Sequence, residues 1–113
     1  MNIGFLYQEM EDYERALTYF NMALTIEQND PYTYSNRGYT YFKMGKLKEA
    51  KADVERSLSI YPKNSYVYRT LALIHLAENK QKAACEAIKK ALDLGYTNSY
   101  GNDVVEMKEK HCN

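Results

Sequence analysis

Residues 31–64 read PYTYSNRGYTYFKMGKLKEAKADVERSLSIYPKN, and this stretch decides the fold. Tyr34, Gly38 and Tyr41 stand at i, i+4 and i+7, which is one face of a helix. Beyond Met44-Gly45-Lys46, the residues Leu47, Ala50, Val54, Ser57 and Leu58 make a second stripe of the same period. Asp30-Pro31 opens the stretch well, because Asp caps a helix and Pro fits its first turn. Gly45 offers the positive φ that a helix C-terminus prefers. Tyr61-Pro62 ends the second stripe, since Pro cannot continue a helix. The stretch therefore reads as helix–turn–helix, with Ser65 as the expected cap of the next helix.

Working outward, the pattern recurs every 34 residues on both sides. Gly4, Gly38 and Ala72 keep that spacing, as do Tyr7, Tyr41 and His75. So do Ala16, Ala50 and Ala84, and so do Phe20, Val54 and Ile88. Ala23, Ser57 and Ala91 follow, then Leu24, Leu58 and Leu92, then Ile26, Ile60 and Leu94. Repetition at this period is the mark of a stacked helical array. The spacing predicts seven helices, at about 2–10, 13–27, 31–44, 47–60, 65–78, 81–94 and 101–112. Residues 96–101, Tyr-Thr-Asn-Ser-Tyr-Gly, read as a turn-rich connection.

Composition agrees with one small helical domain. The chain has 113 residues, 45% apolar and 27% charged, with only 2 Pro and 5 Gly. That excludes a disordered, collagenous or membrane-bundle chain. Trp is absent, but Tyr occurs 12 times. Fifteen bases balance fifteen acids, so no net positive field exists to hold nucleic acid, and none is expected as partner. Residues 1–30 carry six acids against Arg15 alone, whereas residues 31–113 carry fourteen bases and nine acids. An acidic head and a basic tail suit head-to-tail association, and equally suit ordinary solvated helix faces. No run is long and apolar enough for membrane insertion.

The second copy contains Tyr34-x2-Arg37-Gly38-x2-Tyr41, then Ala50-x3-Val54-x2-Ser57, then Pro62. The third contains Tyr68-x2-Leu71-Ala72-x2-His75, then Ala84-x3-Ile88-x2-Ala91. The first contains Ile3-Gly4-x2-Tyr7, then Ala16-x3-Phe20-x2-Ala23. These motifs resemble the tetratricopeptide repeat, whose pattern is W-x2-L-G-x2-Y, A-x3-F-x2-A and P. The resemblance implies an all-α, right-handed α-solenoid, with small residues letting paired helices approach to about 8–10 Å. It implies one domain over 1–113: an incomplete repeat at 1–30, complete repeats at 31–64 and 65–98, and a capping helix at 99–113. Arg37 departs from the usual Leu, and its head is expected in solvent with its stem along the helix pair.

The resemblance also implies a function. In this family the first helix of each pair lines a concave face that receives another chain. The residues expected there are Tyr32, Ser35, Tyr39, Phe42 and Lys43 in the second copy, and Tyr66, Arg69, Leu73 and Leu76 in the third. The first copy offers Phe5, Gln8 and Glu9. Tyr joins a large contact area to a polar tip, which suits recognition of a peptide or partner helix. A subset of the family grips the C-terminal carboxylate of heat-shock chaperones with convergent Lys, Arg and Asn. Here only Asn36 fits; Phe5, Tyr66 and Thr70 stand where the other donors would be. A carboxylate needs several donors together, so that clamp is not expected.

Cys85 lies ten residues before Gly95, and Cys112 eleven after Gly101. If the last helix folds back on the sixth, both thiols reach the same end of the pair. A disulfide would close a loop of about 27 residues, contributing about 3 kcal/mol in the entropy model, and would imply an exported or periplasmic compartment. Two reduced thiols, in a cytoplasmic chain starting natively at Met1, is the other reading. His111 beside Cys112 lacks the tight pairing of a zinc site, so no metal and no cofactor is expected. No catalytic motif is found, and the chain reads as non-enzymatic.

The first copy lacks its opening residues, so Ile3, Phe5, Leu6 and Met10 form an apolar edge without cover. The expectation is a homo-oligomer through that edge, or a preceding repeat in a longer array. Light scattering should show association; a strictly monomeric chain at high micromolar concentration would count against it.

Overall fold

The computed structural model describes residues 2–112, which are helical with no strand among the described residues. The chain divides into two compact units, residues 1–62 and 63–113.

Unit 1 holds α1 (Ile3–Glu9), α2 (Tyr13–Ile26), α3 (Pro31–Lys43) and α4 (Leu47–Ile60), each packed on its neighbours in sequence. Asn2, Asp12 and Asp30 cap the first three helices by accepting from the backbone N–H groups of Gly4, Arg15 and Tyr32. Its core is Ala16, Phe20, Tyr34, Ala50 and Val54, all buried. Gln8 is buried too, contrary to its expected place on an open face, because the Thr40 hydroxyl donates to its side-chain oxygen at 2.8 Å.

Arg37 also departs from expectation. Its head is not in solvent but donates twice to the buried carboxylate of Asp53, at 2.7 and 2.8 Å, and once to Asn21 at 2.9 Å. A carboxylate this deep needs a partner, and a guanidinium supplies a fork that matches it. The hydrogen bond to Asp53 holds the Arg37 guanidinium above its already high pKa, although burial opposes it. The rings of Tyr34 and Tyr41 flank the same cation.

Unit 2 holds α5 (Ser65–Ala77), α6 (Gln81–Asp93), a short α7 (Tyr96–Tyr100) and α8 (Asp103–His111). The expected connection at 96–101 is thus a helical turn. Gly95 and Gly101, both at positive φ, bound it, and the Tyr96 ring fills the core beneath. Asn64, not Ser65, caps α5. Ala72, Ala87, Ile88, Ala91, Tyr96 and Val104 form the core.

The three hairpin turns are one structure written in three sequences. Glu11, Gly45 and Asn79 all have positive φ, at 60°, 79° and 60°. Asp12, Lys46 and Lys80 donate backbone N–H bonds to the carbonyls of Tyr7, Tyr41 and His75 at 2.8–2.9 Å. Glu11, Gly45 and Asn79 donate to Gln8, Phe42 and Leu76 at 3.0–3.1 Å. These paired bonds close a helix C-terminus in the Schellman manner. A left-handed conformation costs a residue with a Cβ about 1 kcal/mol or more, and Asn tolerates it best. Glu11→Gly should therefore raise stability by about 1 kcal/mol and Gly45→Ala should lower it by a similar amount. Asn79→Gly should gain less than Glu11→Gly. Urea-unfolding midpoints at constant m-value check all three, and a neutral Glu11→Gly would remove the strain argument.

Candidate functional site

α3 carries most of the expected face. Tyr32, Ser35, Tyr39, Phe42 and Lys43 fall along one side of it, as the period requires. Tyr32 is 58% exposed, and its ring meets that of Tyr61 from the end of α4 at 6.3 Å. Tyr39 and Phe42 are half-buried and their rings lie 6.3 Å apart, with exposed Lys43 next along the helix. Ser35 is a correction: it is buried. The face is therefore interrupted, with Tyr32 at one end and Tyr39, Phe42 and Lys43 at the other.

Two further rings of unit 1 stand on neighbouring helices. Phe5 on α1 is 38% exposed. Tyr13, at the start of α2, feels the charges of Glu11 and Lys43 and the Tyr39 phenol. Burial first, and then the negative charge of Glu11, push the Tyr13 phenol up, while Lys43 pulls it down. Tyr13 was missed in the sequence because it opens the second helix of its pair. Its only signal was its place one residue after the cap Asp12.

The α1 edge is open. Ile3, Leu6 and Met10 are exposed, as are Met22 and Ile26 on α2. Leu6 stands in the register of Thr40, which is fully buried.

In unit 2 the expected residues have other employment. Arg69, taken as an exposed cation of the face, instead donates to Asp103 at the start of α8, at 2.7 Å. The Tyr96 hydroxyl donates to the same oxygen at 3.1 Å. Tyr66 lies beside the Arg69 cation and packs its ring on Tyr100 at 5.4 Å. Burial works against the Asp103 charge, but bonds from Arg69 and Tyr96 hold its carboxyl below the usual range. The Tyr96 phenol is pushed up by burial and by that carboxylate. Leu73 is half-buried, and Leu76 lines a shallow depression of about 250 Å³ with Asn79, Gln81 and His111. Asp103 escaped notice because nothing in the sequence marks which residue of a capping helix will meet Arg69.

Cys85 and Cys112 are joined by a disulfide, with Cα atoms 5.7 Å apart. Among the described residues no cluster of His, Cys, Asp and Glu could hold a metal ion, and no helix is long and apolar enough to cross a membrane. Of the positions where a carboxylate clamp would place its donors, Phe5 is exposed, Tyr66 and Asn36 are half-buried, and Thr70 is buried.

Residues 3–74 match the tetratricopeptide repeat family. No curated protein matches the chain. Among solved structures it is similar to the Sgt2 tetratricopeptide domain from Aspergillus fumigatus, with 25% identity, a TM-score of 0.80, and coverage of 95% of this chain and 70% of that one. It is similar to the first tetratricopeptide domain of Spaghetti (RPAP3) bound to an HSP90 peptide, with 19% identity, a TM-score of 0.84, and coverage of 95% and 82%. It is also similar to the Yersinia enterocolitica type III secretion chaperone SycD in complex with a peptide of the translocator YopD, with 17% identity, a TM-score of 0.84, and coverage of 96% and 86%. The last two share the fold with this chain at low identity.

Asp103 makes an acid-sensitive contact. A carboxyl whose folded pKa lies below its unfolded value of 3.8 adds stability above that pH and loses it as pH falls through the folded value. Asp103→Asn should therefore be less stable than the parent at pH 7, and the gap should close on acidification below about pH 4. Urea midpoints at the two pH values measure this, and a gap independent of pH would contradict it.

Proposed function

The chain belongs to the tetratricopeptide-repeat family, and on that premise we propose that it is a non-catalytic module that binds another protein through the aromatic side chains of its first helices. The observation that carries this reading is the Tyr39–Phe42 pair, partly open to solvent beside Lys43. Aromatic rings offer large contact area at small entropic cost, and a neighbouring cation adds orientation. In unit 1, Tyr13 stands beside Tyr39 and Lys43, and Phe5 offers a further exposed ring. In unit 2, Leu73 and Leu76 are the residues left for a ligand, since Arg69 and Tyr66 are engaged within that unit.

Two of the similar structures hold peptides, one from HSP90 and one from YopD. A peptide ligand is accordingly the first choice here. The clamp positions supply no cluster of cations, so recognition rests on side chains within the ligand and not on its terminal carboxylate. A second reading, self-assembly, is favoured by exposed Ile3, Leu6 and Met10.

The test is selection from a library of random linear peptides. Wild-type chain should enrich a consensus containing apolar anchors, and amidating the peptide C-terminus should leave affinity unchanged. Tyr39→Ser with Phe42→Ser should weaken binding about tenfold or more, at the scale of an interface hot spot. Enrichment of carboxylate-dependent peptides, or equal binding by the double variant, would overturn the proposal. Oligomers that are lost in Leu6→Ser with Met10→Ser, in a chain that enriches no peptide, would favour assembly.

A further inference from the structure

Unit 2 is closed by its disulfide. Cys85 is the fifth residue of α6 and Cys112 directly follows α8, so the bond ties the end of the capping helix to the beginning of its neighbour. The sulfurs are not sealed in. Both residues are half-buried and, with Gln81, Lys82 and His111, they line an open depression of about 450 Å³.

Both ends of this bond have basic neighbours. Lys82 stands one turn before Cys85 on α6, and Lys108, Lys110 and His111 occupy the last turn of α8 before Cys112. Either sulfur can therefore leave as a thiolate in thiol–disulfide exchange.

The hold on α8 is uneven as well. At its beginning, Val104 is fully buried and Asp103 binds both Arg69 and Tyr96. Further along, Glu106, Lys108, Glu109 and Lys110 are exposed, and only Met107 and Cys112 pack partly on the core. The Gln81 side chain also donates a hydrogen bond to the His111 carbonyl.

We propose that Cys85–Cys112 is a thiol-exchange site for dithiol reductants, and that its reduction releases the last turns of α8 while Asp103 and Val104 keep the first turn docked. The reductant's thiolate attacks the Cys112 sulfur, forming a mixed disulfide. The Cys85–Cys112 bond breaks, and its electron pair leaves on Cys85, which takes a proton from water. The reductant's second thiolate then attacks its own first sulfur. Cys112 leaves as a thiolate and is protonated in turn. The chain gains two thiols, and the dithiol, having given up two protons to solvent, becomes a cyclic disulfide. Met107 is then free to leave the cluster built on Ala87, Ile88 and Ala91.

Hydrogen exchange read by mass spectrometry, on the full chain with and without dithiothreitol in native buffer, tests this. Alkylation should report two new thiols after treatment. Amides of 106–112 should exchange roughly a hundredfold faster once the cross-link is gone, while those of α5 keep their protection. Cys85→Ser with Cys112→Ser should show the fast pattern with or without the reductant. Failure of thiols to appear under native conditions, equal protection of 106–112 in both states, or loss of α5 protection together with α8 would each overturn the proposal.

Discussion

In each hairpin a glycine or alanine on the first helix lets the second approach closely, and the rest of the chain is arranged around that closeness. Ala16, Ala50 and Ala84 are fully buried in the second helices, opposite Gly4, Gly38 and Ala72 in the first. A Cβ on Gly4 would fall 2.7 Å from the Phe20 ring, nearer than any relaxed contact, and one on Gly38 would fall 3.2 Å from Val54. Where the small residues admit the partner helix, Phe20, Val54 and Ile88 fill the space beside them. In unit 1 the helices thus pack as a series of seams between neighbours in sequence, while in unit 2 the seam widens into one cluster that takes in α7 and α8.

Close approach also determines which polar groups are trapped. Asp53 lies one turn from Ala50 and next to Val54 and is carried inside with them, and the Arg37 fork answers it from the adjoining helix. Gln8 and Thr40 form a smaller clasp of the same kind. In unit 2 the corresponding polar tie is Arg69 with Asp103, reached across 34 positions of chain. These contacts give direction to surfaces that alanine and glycine alone would leave slippery.

Much of this was legible in the sequence, and the reason is periodicity. The 34-residue recurrence of alanines, glycines and large apolar residues located the six helices of the three hairpins to within a residue or two. Three things were not legible. The helical turn at Tyr96–Tyr100 lay among residues that favour turns, and a buried ring overrides that preference. Arg37 and Arg69 read as surface cations because their partners, Asp53 and Asp103, are 16 and 34 positions away and carry no local mark. The candidate binding face was only half readable. Its helix period was plain, but a period does not encode whether a residue such as Ser35 emerges.

The turns at Glu11, Gly45 and Asn79 have a consequence for how such chains change over time. Each is closed by main-chain bonds, so the same geometry holds with Glu, Gly or Asn in it, at a cost of about 1 kcal/mol where the residue carries a Cβ. A joint that accepts three different residues can be copied without redesigning what lies on either side. Gene duplication can therefore add further hairpins at the scale of whole modules, while a point change at one of these corners shifts stability by about 1 kcal/mol and leaves the joint's shape intact.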